Sequence, residues 1–154
     1  MVWLDKMSIF ASLGCLYIER GGSLEFFLQR RESGTYKDFW EFPGGKIDLL
    51  ANENPLVAVR REILEECNVT LDLSSFQFFN IYKSNNSNGS STVLYVYCSS
   101  ITIEIMNKLK LMGEFFPISK NWKLEMEINP NENIGKLIPG SSLLWQDLQA
   151  WKLG

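Results

Sequence analysis

Three glutamates stand close together near the middle of the chain, at positions 62, 65 and 66. If the segment around them is a helix, Glu62, Glu65 and Glu66 share one side of it by i,i+3 and i,i+4 spacing. No lysine lies among them, and the two arginines before them balance only part of the charge. Crowded carboxylates suit hard divalent cations, since Mg²⁺ and Mn²⁺ prefer oxygen ligands. The alternative is an ordinary solvated helix face, the commoner origin of such a charge run.

The flanking residues predict a helix from Pro55 to Cys67. Asn54 can cap the N-terminus, and proline suits the first helical position because its missing N–H is not needed there. Asn68 can take the left-handed conformation that often follows a helix C-terminus. Apolar residues at helical spacing predict the face turned to the core. These residues are Leu56, Val59, Ile63 and Leu64.

The same stretch resembles the Nudix box, G-x5-E-x7-R-E-U-x-E-E-x-G-U, in which U is aliphatic. Gly45 matches its first glycine and Glu53 its isolated glutamate. Residues 61–66 match the core at the family's spacing, and Val69 matches the closing aliphatic position. The chain departs from the pattern in two places. Seven residues instead of five separate the glycine from the glutamate, and Asn68 replaces the late glycine, a position at which asparagine is well tolerated.

The resemblance implies a metal site and a catalytic group. The metal site would consist of Gly45, Glu62, Glu65 and Glu66, and the cation would be Mg²⁺ or, in its place, Mn²⁺. The catalytic residues would be Glu53, Arg61 and Glu62. In the family, Glu62 would add a metal ligand or act as general base, Arg61 would orient a carboxylate by paired hydrogen bonds, and Glu53 would give outer support. The implied reaction is hydrolysis of a nucleoside diphosphate linked to another group X.

A finer resemblance, to the MutT-like branch of the family, rests on residues 28–31 and on the stretch WEFPGGK, residues 40–46. That branch hydrolyses nucleoside triphosphates, including oxidised purine nucleotides such as 8-oxo-dGTP, to monophosphate and pyrophosphate. The similarity is good over residues 8–99 and weak elsewhere. The substrate-binding residues it suggests are Arg30, Arg31, Trp40, Glu41, Phe42, Lys46 and Ser142. Sheet packing explains Trp40 and Phe42 equally well, and Ser142 stands where the branch has an asparagine that reads the purine.

Two other functions remain open from the sequence. One is hydrolysis of a dinucleoside polyphosphate, ADP-ribose or a nucleotide sugar. The other is a Nudix-fold nucleotide sensor or interaction module with little catalysis, which the lengthened loop favours and the intact glutamates oppose. The branch also tends to supply another acidic residue before a late strand, and Glu114 is the nearest candidate here.

The elements that must position these residues alternate between strands and helices. Strands are predicted at 7–18, 24–30, 39–42, 76–83, 92–98 and 115–119, and a terminal helix from Ser142. Gly-Gly and Asn-Gly signals predict two hairpins. The loop Pro43-Gly44-Gly45 is expected to leave backbone N–H groups open. This order predicts an α/β fold, and the resemblance makes it a Nudix-type α/β/α sandwich with a mixed sheet between helices.

Composition limits the number of domains, the partners, the location and the kinds of site that the chain can have. A chain of 154 residues predicts one domain, residues 1–154, with its own core. The net charge of −3 predicts no surface for a nucleic acid polymer and says little about a small nucleotide, the partner that the resemblance implies. No apolar run is long enough to span a membrane. Three cysteines without a C-x-x-C pair indicate reduced thiols and a cytoplasmic location. The absence of histidine excludes histidine triads and imidazole zinc sites.

Overall fold

The computed structural model of the protein describes residues 8–128, 130–131 and 135–153. The strands are β1 Ser8–Arg20, β2 Ser23–Arg30, β3 Trp40–Glu41, β4 Gly44–Lys46, β5 Gln77–Asn85, β6 Ser91–Ser100 and β7 Glu114–Pro117. The α-helices are α1 Pro55–Cys67, α2 Ile103–Leu109, α3 Trp122–Ile128 and α4 Ser142–Leu153. Short 3₁₀ turns lie at Leu73–Ser75 and Pro139–Ser141.

The strands form a mixed sheet in the order β3-β2-β1-β6-β5, with β4 paired to β1 and β7 paired to β2. Strands β1 and β6 run parallel, and the other pairs are antiparallel. The predicted first hairpin is confirmed, since Gly21 and Gly22 turn the chain between β1 and β2 at positive φ, where glycine has no steric penalty. The predicted second hairpin is confirmed as β5 and β6. Met7, the predicted start of the first strand, lies outside the described residues.

Alternation along the central strands supplies a core on each face of the sheet. On one face, Cys15 and Phe26 pack in a cluster with Leu148 of α4. On the other face, Leu16 and Phe27 pack in a cluster with Val59 and Ile63 of α1. Burial of each large apolar side chain contributes roughly 1.5–3 kcal/mol. The predicted sandwich of helices around a mixed sheet is therefore confirmed.

Helix α1 begins and ends where its sequence predicts. The Asn54 side chain accepts a hydrogen bond from the N–H of Val57 at 2.9 Å, and Asn68 has the left-handed φ of 56°. The prediction that Leu64 lies on the buried face is wrong, because its side chain is 43% exposed. Cys67 takes its place in the core, since it lies one helical turn beyond Ile63 on the same face.

Three elements differ from the sequence prediction. Helices α2 and α3 were not predicted, although Thr102 caps α2 through a hydrogen bond from the N–H of Ile105. Residues 101–105 alternate between apolar and polar side chains, a pattern that is typical of a strand rather than a helix. The expectation that the Pro-Gly-Gly loop leaves its N–H groups open is wrong. Gly44 to Lys46 form β4 against β1, and the N–H of Gly44 donates to Glu66.

The two extra residues of the loop before α1 bulge outward. Leu49 is exposed and Leu50 is 100% exposed. The turn is closed beneath them by the Asp48 side chain, which accepts from the N–H of Ala51, and by the Asp48 carbonyl, which accepts from the N–H of Glu53. The insertion therefore leaves the position of Glu53 intact.

Within the described residues, no helix is long and apolar enough to cross a bilayer. The three cysteines are free and buried.

Candidate functional site

The predicted site forms where α1 crosses the sheet beside β4. Gly45 lies on β4 opposite Ser12, with its Cα directly under the Glu62 side chain. A Cβ added at Gly45 would lie 2.5 Å from Cδ of Glu62 and 2.6 Å from both carboxylate oxygens. A larger residue at this position would force the Glu62 carboxylate to move, because such a contact is far inside van der Waals distance. The site thus brings the first glycine of the predicted motif directly against one of its carboxylates.

Arg61 connects the acidic residues of the site. Its Nε and Nη2 donate to the two carboxylate oxygens of Glu53 at 2.6 and 2.9 Å, a bidentate pair. Its Nη1 donates to Glu62 at 3.0 Å and to Glu65 at 2.9 Å, and its Nη2 also donates to the carbonyl of Lys46 at 3.1 Å. The guanidinium therefore fixes the start of α1, its acidic face and β4 in one arrangement.

The hydrogen bonds of Arg61 shift the proton equilibria of both partners of the bidentate pair. The Arg61 guanidinium holds the pKa of the Glu53 carboxyl below its usual value, against the opposing effect of burial, and the N–H of Asp48 adds to the lowering. The hydrogen bonds to Glu53 raise the pKa of Arg61 in turn. Both groups remain charged at neutral pH, so the pair is a fixed support for the helix.

Replacement of Arg61 by lysine is expected to weaken this support, because an ammonium group cannot make the bidentate contact with Glu53. Turnover should fall about tenfold, and the free energy of unfolding should fall by about 1 kcal/mol, since the arginine is partly exposed to solvent. Steady-state rates and thermal melts measure both effects. Arg60→Lys on the same helix is the matched control, and an equal loss there would contradict the assigned role.

Glu66 lies deeper than the other two glutamates of α1. Its Oε1 accepts hydrogen bonds from the N–H of Gly44 at 3.1 Å and from Nε2 of Gln29 at 2.9 Å. The pKa of Glu66 is raised to about 7, chiefly by burial and to a lesser extent by the nearby charges of Glu62 and Glu41, while the two hydrogen bonds oppose the rise. Burial therefore disfavours the charged carboxylate, and a bound cation would favour it.

Two cavities meet at an ion pair beside the carboxylates. Nε of Arg31 lies 3.4 Å from Oε1 of Glu41. A cavity of about 720 Å³ lies on one side of this pair, with Glu65, Glu66 and Met112 in its wall. A cavity of about 410 Å³ lies on the other side. Its lining residues include Leu13, Phe42, Tyr82, Lys83, Thr92 and Leu143. Arg31 and Glu41 line both cavities, so a ligand could pass from one to the other along them.

The predicted aromatic residues of the site turn inward. Trp40 is 6% exposed and packs against Phe116 at 4.8 Å between ring centroids. Phe42 is 2% exposed and packs against Trp145. The Arg30 guanidinium lies 5.2 Å from the centre of the Trp40 ring and lines the larger cavity. Core packing therefore explains Trp40, while Phe42 also lines the 410 Å³ cavity and Arg30 lines the larger one.

Three other candidates lie apart from the carboxylates. The exposed side chain of Lys46 lines neither of the two cavities, and only its carbonyl takes part, through Arg61. Ser142 begins α4 and lines a different cavity beside Trp145, although its neighbours Ser141 and Leu143 line the 410 Å³ cavity. Glu114 pairs with Leu28 in the sheet and lines a cavity at the far end of β2.

Sequence reasoning missed several residues of the site. Gln29 lies within residues 28–31, for which the sequence suggested no role at this position, yet its amide donates to Glu66. In the sheet Gln29 lies opposite Glu41, and this position indicates that Gln29 belongs to the site. The position follows only from the pairing of β2 with β3. Tyr82 and Lys83 belong to the second hairpin, which the sequence predicted without relating it to the site. No signal pointed to Met112.

The chemistry of the donor set fits a divalent cation. The described part of the chain contains no arrangement of three or more histidine, cysteine, aspartate or glutamate side chains that could hold a metal ion as it stands. However, carboxylate oxygens of Glu62 and Glu65 both lie within 3.0 Å of Nη1 of Arg61, so the two carboxylates lie side by side on α1. Burial raises the pKa of Glu66 and disfavours its charged form, an effect that a bound cation would oppose. Hard oxygen ligands of this kind favour Mg²⁺ or Mn²⁺.

Solved structures of other proteins share this fold. The NUDIX domain of Shewanella oneidensis NrtR, crystallised with ADP ribose, is 14% identical with a TM-score of 0.66 over 96% of this chain and 90% of that one. The Ap4A hydrolase of C. elegans is 17% identical with a TM-score of 0.62 over 94% and 98%. A MutT NUDIX hydrolase of Burkholderia pseudomallei is 20% identical with a TM-score of 0.62 over 92% and 98%. At these identities the likeness shows the fold alone.

The chain is also similar to a longer protein. It spans 51% of the Shewanella oneidensis NrtR chain that was crystallised with a 27mer DNA, at 17% identity and a TM-score of 0.59 over 71% of this chain. Because that relative was crystallised with DNA, the expectation that nucleic acid polymers are excluded as partners has no support from the comparison.

The family of the chain is shown by its sequence rather than by its structural likeness to other proteins. Comparison with curated protein sequences found no match. The family model of the NUDIX domain, however, matches residues 10–131, which include Gly45, Glu53 and residues 61–66. The match covers most of the chain, including the acidic residues of the site, and the chain therefore belongs to the NUDIX domain family.

Proposed function

We propose that residues 1–154 form a single Nudix hydrolase domain that acts in the cytoplasm and depends on a divalent cation. Its substrate is a nucleoside triphosphate, cleaved to monophosphate and pyrophosphate as in the MutT-like branch, with oxidised purine nucleotides among the candidates. The observation that carries the proposal is the cluster of Glu62, Glu65 and Glu66, in which Glu62 lies against Gly45 while Glu65 and Glu66 line a cavity that Arg30 also lines.

The residues to hold the cation are Glu62, Glu65, Glu66 and the backbone of Gly45. When bound, Mg²⁺ supplies charge stabilisation to the diphosphate and acidifies the attacking water. Glu62 would accept the proton of that water, a role supported by the contacts of its carboxylate with Arg61 and Gly45. Arg30 and Arg31 line the same cavity and can neutralise phosphate oxygens. Together these groups favour attack on phosphorus by orienting and neutralising the chain of phosphates.

The nucleoside fits the smaller cavity. That cavity is the more apolar of the two, with Leu13, Leu94 and Leu143 in its wall, and Lys83 and Thr92 offer hydrogen-bonding groups at its edge. Since Ser142 lies outside it, base reading would fall to the residues of the second hairpin. Ser142 stands where the branch has the asparagine that reads the purine. No residue at that position would therefore select one purine strictly.

A panel of nucleotides with Mg²⁺ tests the proposal. The wild-type chain is incubated with each canonical triphosphate and with 8-oxo-dGTP, and pyrophosphate and phosphate are measured separately. Release of pyrophosphate with a monophosphate product is the expected result. The absence of turnover with every nucleotide, from protein that circular dichroism shows to be folded, would overturn it.

A second substrate class has a specific observation in its favour. The larger cavity, about 720 Å³, extends past the carboxylates to Met112 and Gly34, which is more room than a pyrophosphate group occupies. A dinucleoside polyphosphate, ADP-ribose or a nucleotide sugar would use that space. Cleavage of ADP-ribose to AMP and ribose 5-phosphate, or of diadenosine tetraphosphate to AMP and ATP, in the same panel would favour this class over the triphosphates.

A non-catalytic function would have a different signature. A nucleotide sensor or interaction module would bind nucleotide without turnover, and its binding would survive replacement of the metal-site carboxylates. Tight binding by the Glu65→Gln and Glu66→Gln variants, with no activity in the parent chain, would establish that reading. Retention of three adjacent carboxylates that repel one another argues against it.

A further inference from the structure

Gln29 lies at the junction of β2, β3 and the end of α1. It pairs with Glu41 across the two strands, and its side chain crosses toward α1. There its Nε2 donates to Oε1 of Glu66 at 2.9 Å, and its Oε1 accepts a weak hydrogen bond from the thiol of Cys67 at 3.7 Å. The amide thus joins two consecutive residues of the helix that carries the carboxylates.

The two hydrogen bonds to Glu66 fall on the same oxygen. Gln29 and the N–H of Gly44 both donate to Oε1, at 2.9 and 3.1 Å. Among the residues described, no hydrogen bond reaches Oε2. The carboxylate is therefore held from one side only, with its second oxygen left for another ligand. A carboxylate that was free to rotate would present either oxygen, at an entropic cost to any cation that binds it.

The thiol of Cys67 fixes which end of the Gln29 amide faces Glu66. Cys67 is buried, and its thiol donates to Oε1 of the Gln29 amide at 3.7 Å. Because the Cys67 thiol donates a hydrogen bond there, the atom of the Gln29 amide beside it must be the oxygen. The NH₂ end then points at Glu66, as a carboxylate acceptor requires.

We propose that Gln29 is a positioning residue. It holds Oε1 of Glu66 so that Oε2 stays available to the divalent cation, and the Cys67 thiol holds the Gln29 amide in the necessary orientation. The inference rests on the proposed function, since it assumes that Glu66 takes a cation. Hydrogen-bonding partners of this kind commonly change metal affinity or activity by about 10- to 100-fold.

Titration of Mn²⁺ into nucleotide-free protein, followed by electron paramagnetic resonance, measures the effect without any turnover. Gln29→Met keeps the length and volume of the side chain but removes the donor, and we expect its Mn²⁺ affinity to be about tenfold weaker. Cys67→Ala should weaken it roughly two- to threefold, since it removes only the weaker bond. Glu25→Gln on the same strand lies away from the site and should bind Mn²⁺ as the wild type does.

A double-mutant cycle separates positioning from a general effect on the fold. In the Glu66→Gln background, Gln29→Met should cause no further loss of Mn²⁺ affinity, because the residue acts through Glu66. The same tenfold loss in that background would overturn the inference. In the wild-type background, Gln29→Met should lower kcat at saturating nucleotide, because the residue acts through Glu66.

The outcomes distinguish this inference from the proposed function. A wild-type chain that binds no Mn²⁺ would overturn both. A wild-type chain that binds Mn²⁺, with Gln29→Met binding it equally well, would overturn the positioning role and leave the proposed function standing. If Gln29→Met does not fold, Gln29→Asn replaces it, since the shorter amide cannot reach Glu66 and should show the same tenfold loss.

Discussion

Replacement of Glu66 by glutamine is expected to lower turnover by about 10²- to 10³-fold while the chain stays folded. The amide oxygen can still accept the hydrogen bonds from Gly44 and Gln29, so the packing around α1 is kept. What is lost is the negative charge that a cation needs. Steady-state rates at saturating Mg²⁺ measure the effect, and Glu127→Gln on the exposed face of α3 is the matched control.

The same variant should be more stable than the wild type when metal is absent, and the difference should grow with pH. The folded-state pKa of Glu66, about 7, lies above its ordinary value of 4.5. The native chain therefore holds a proton that the unfolded chain loses, and stability falls as pH rises from about 4.5 through 7. Glutamine does not titrate. With allowance for partial exposure, the gain at pH 8 should be on the order of 1 kcal/mol, with little gain at pH 5.

Thermal melts of the two metal-free proteins at pH 5 and pH 8 measure this difference. Lower stability of Glu66→Gln at pH 8 would contradict the account, because it would assign the carboxylate a structural role. Addition of Mg²⁺ should stabilise the wild type more than the variant, since only the wild type has the full set of ligands.

Replacement of Gly45 by alanine is expected to lower turnover by about 10²-fold, because the new methyl group must displace the carboxylate of Glu62 from its place over β4. Displacement of Glu62 also breaks its hydrogen bond to Arg61, so the change should spread to the rest of the acidic face. The stability cost of such overpacking is about 1–3 kcal/mol.

Gly135→Ala is the matched control for this substitution. A Cβ at Gly135 meets no atom within 4 Å, and the residue lies outside the site, so both activity and melting temperature should stay near those of the wild type. Full activity of Gly45→Ala would contradict the arrangement of β4 and α1 described here. A crystal structure of the variant with Glu62 unmoved would contradict it equally.

Local signals predicted the helix of the site well. Helix α1 carries an asparagine at each end and a proline at its first position, and these caps act within a few residues of chain. The contact between Gly45 and Glu62, by contrast, joins residues from a strand and a helix. Its residues came from the family resemblance, because no periodicity in the sequence brings them together.

Features that depend on pairing between residues far apart in the chain were not predicted from the sequence. The strand β4 exists because Gly44 to Lys46 find free hydrogen-bonding groups on β1, some thirty residues earlier in the chain. The role of Gln29 depends on the same kind of distant contact. Ser142 was assigned to the substrate by analogy with a motif, yet the turn at Pro139–Ser141 sets it on another cavity. Side-chain direction at a helix start follows from tertiary packing, which a linear pattern does not contain.

The most direct test of the central claim, a cation-dependent nucleotide hydrolase, is the initial rate of nucleotide hydrolysis by the wild-type chain as Mg²⁺ is added back after treatment with EDTA. The account predicts no turnover in EDTA and a saturable rise in rate with Mg²⁺, with Mn²⁺ also effective. A rate in EDTA equal to the rate in Mg²⁺ would contradict it.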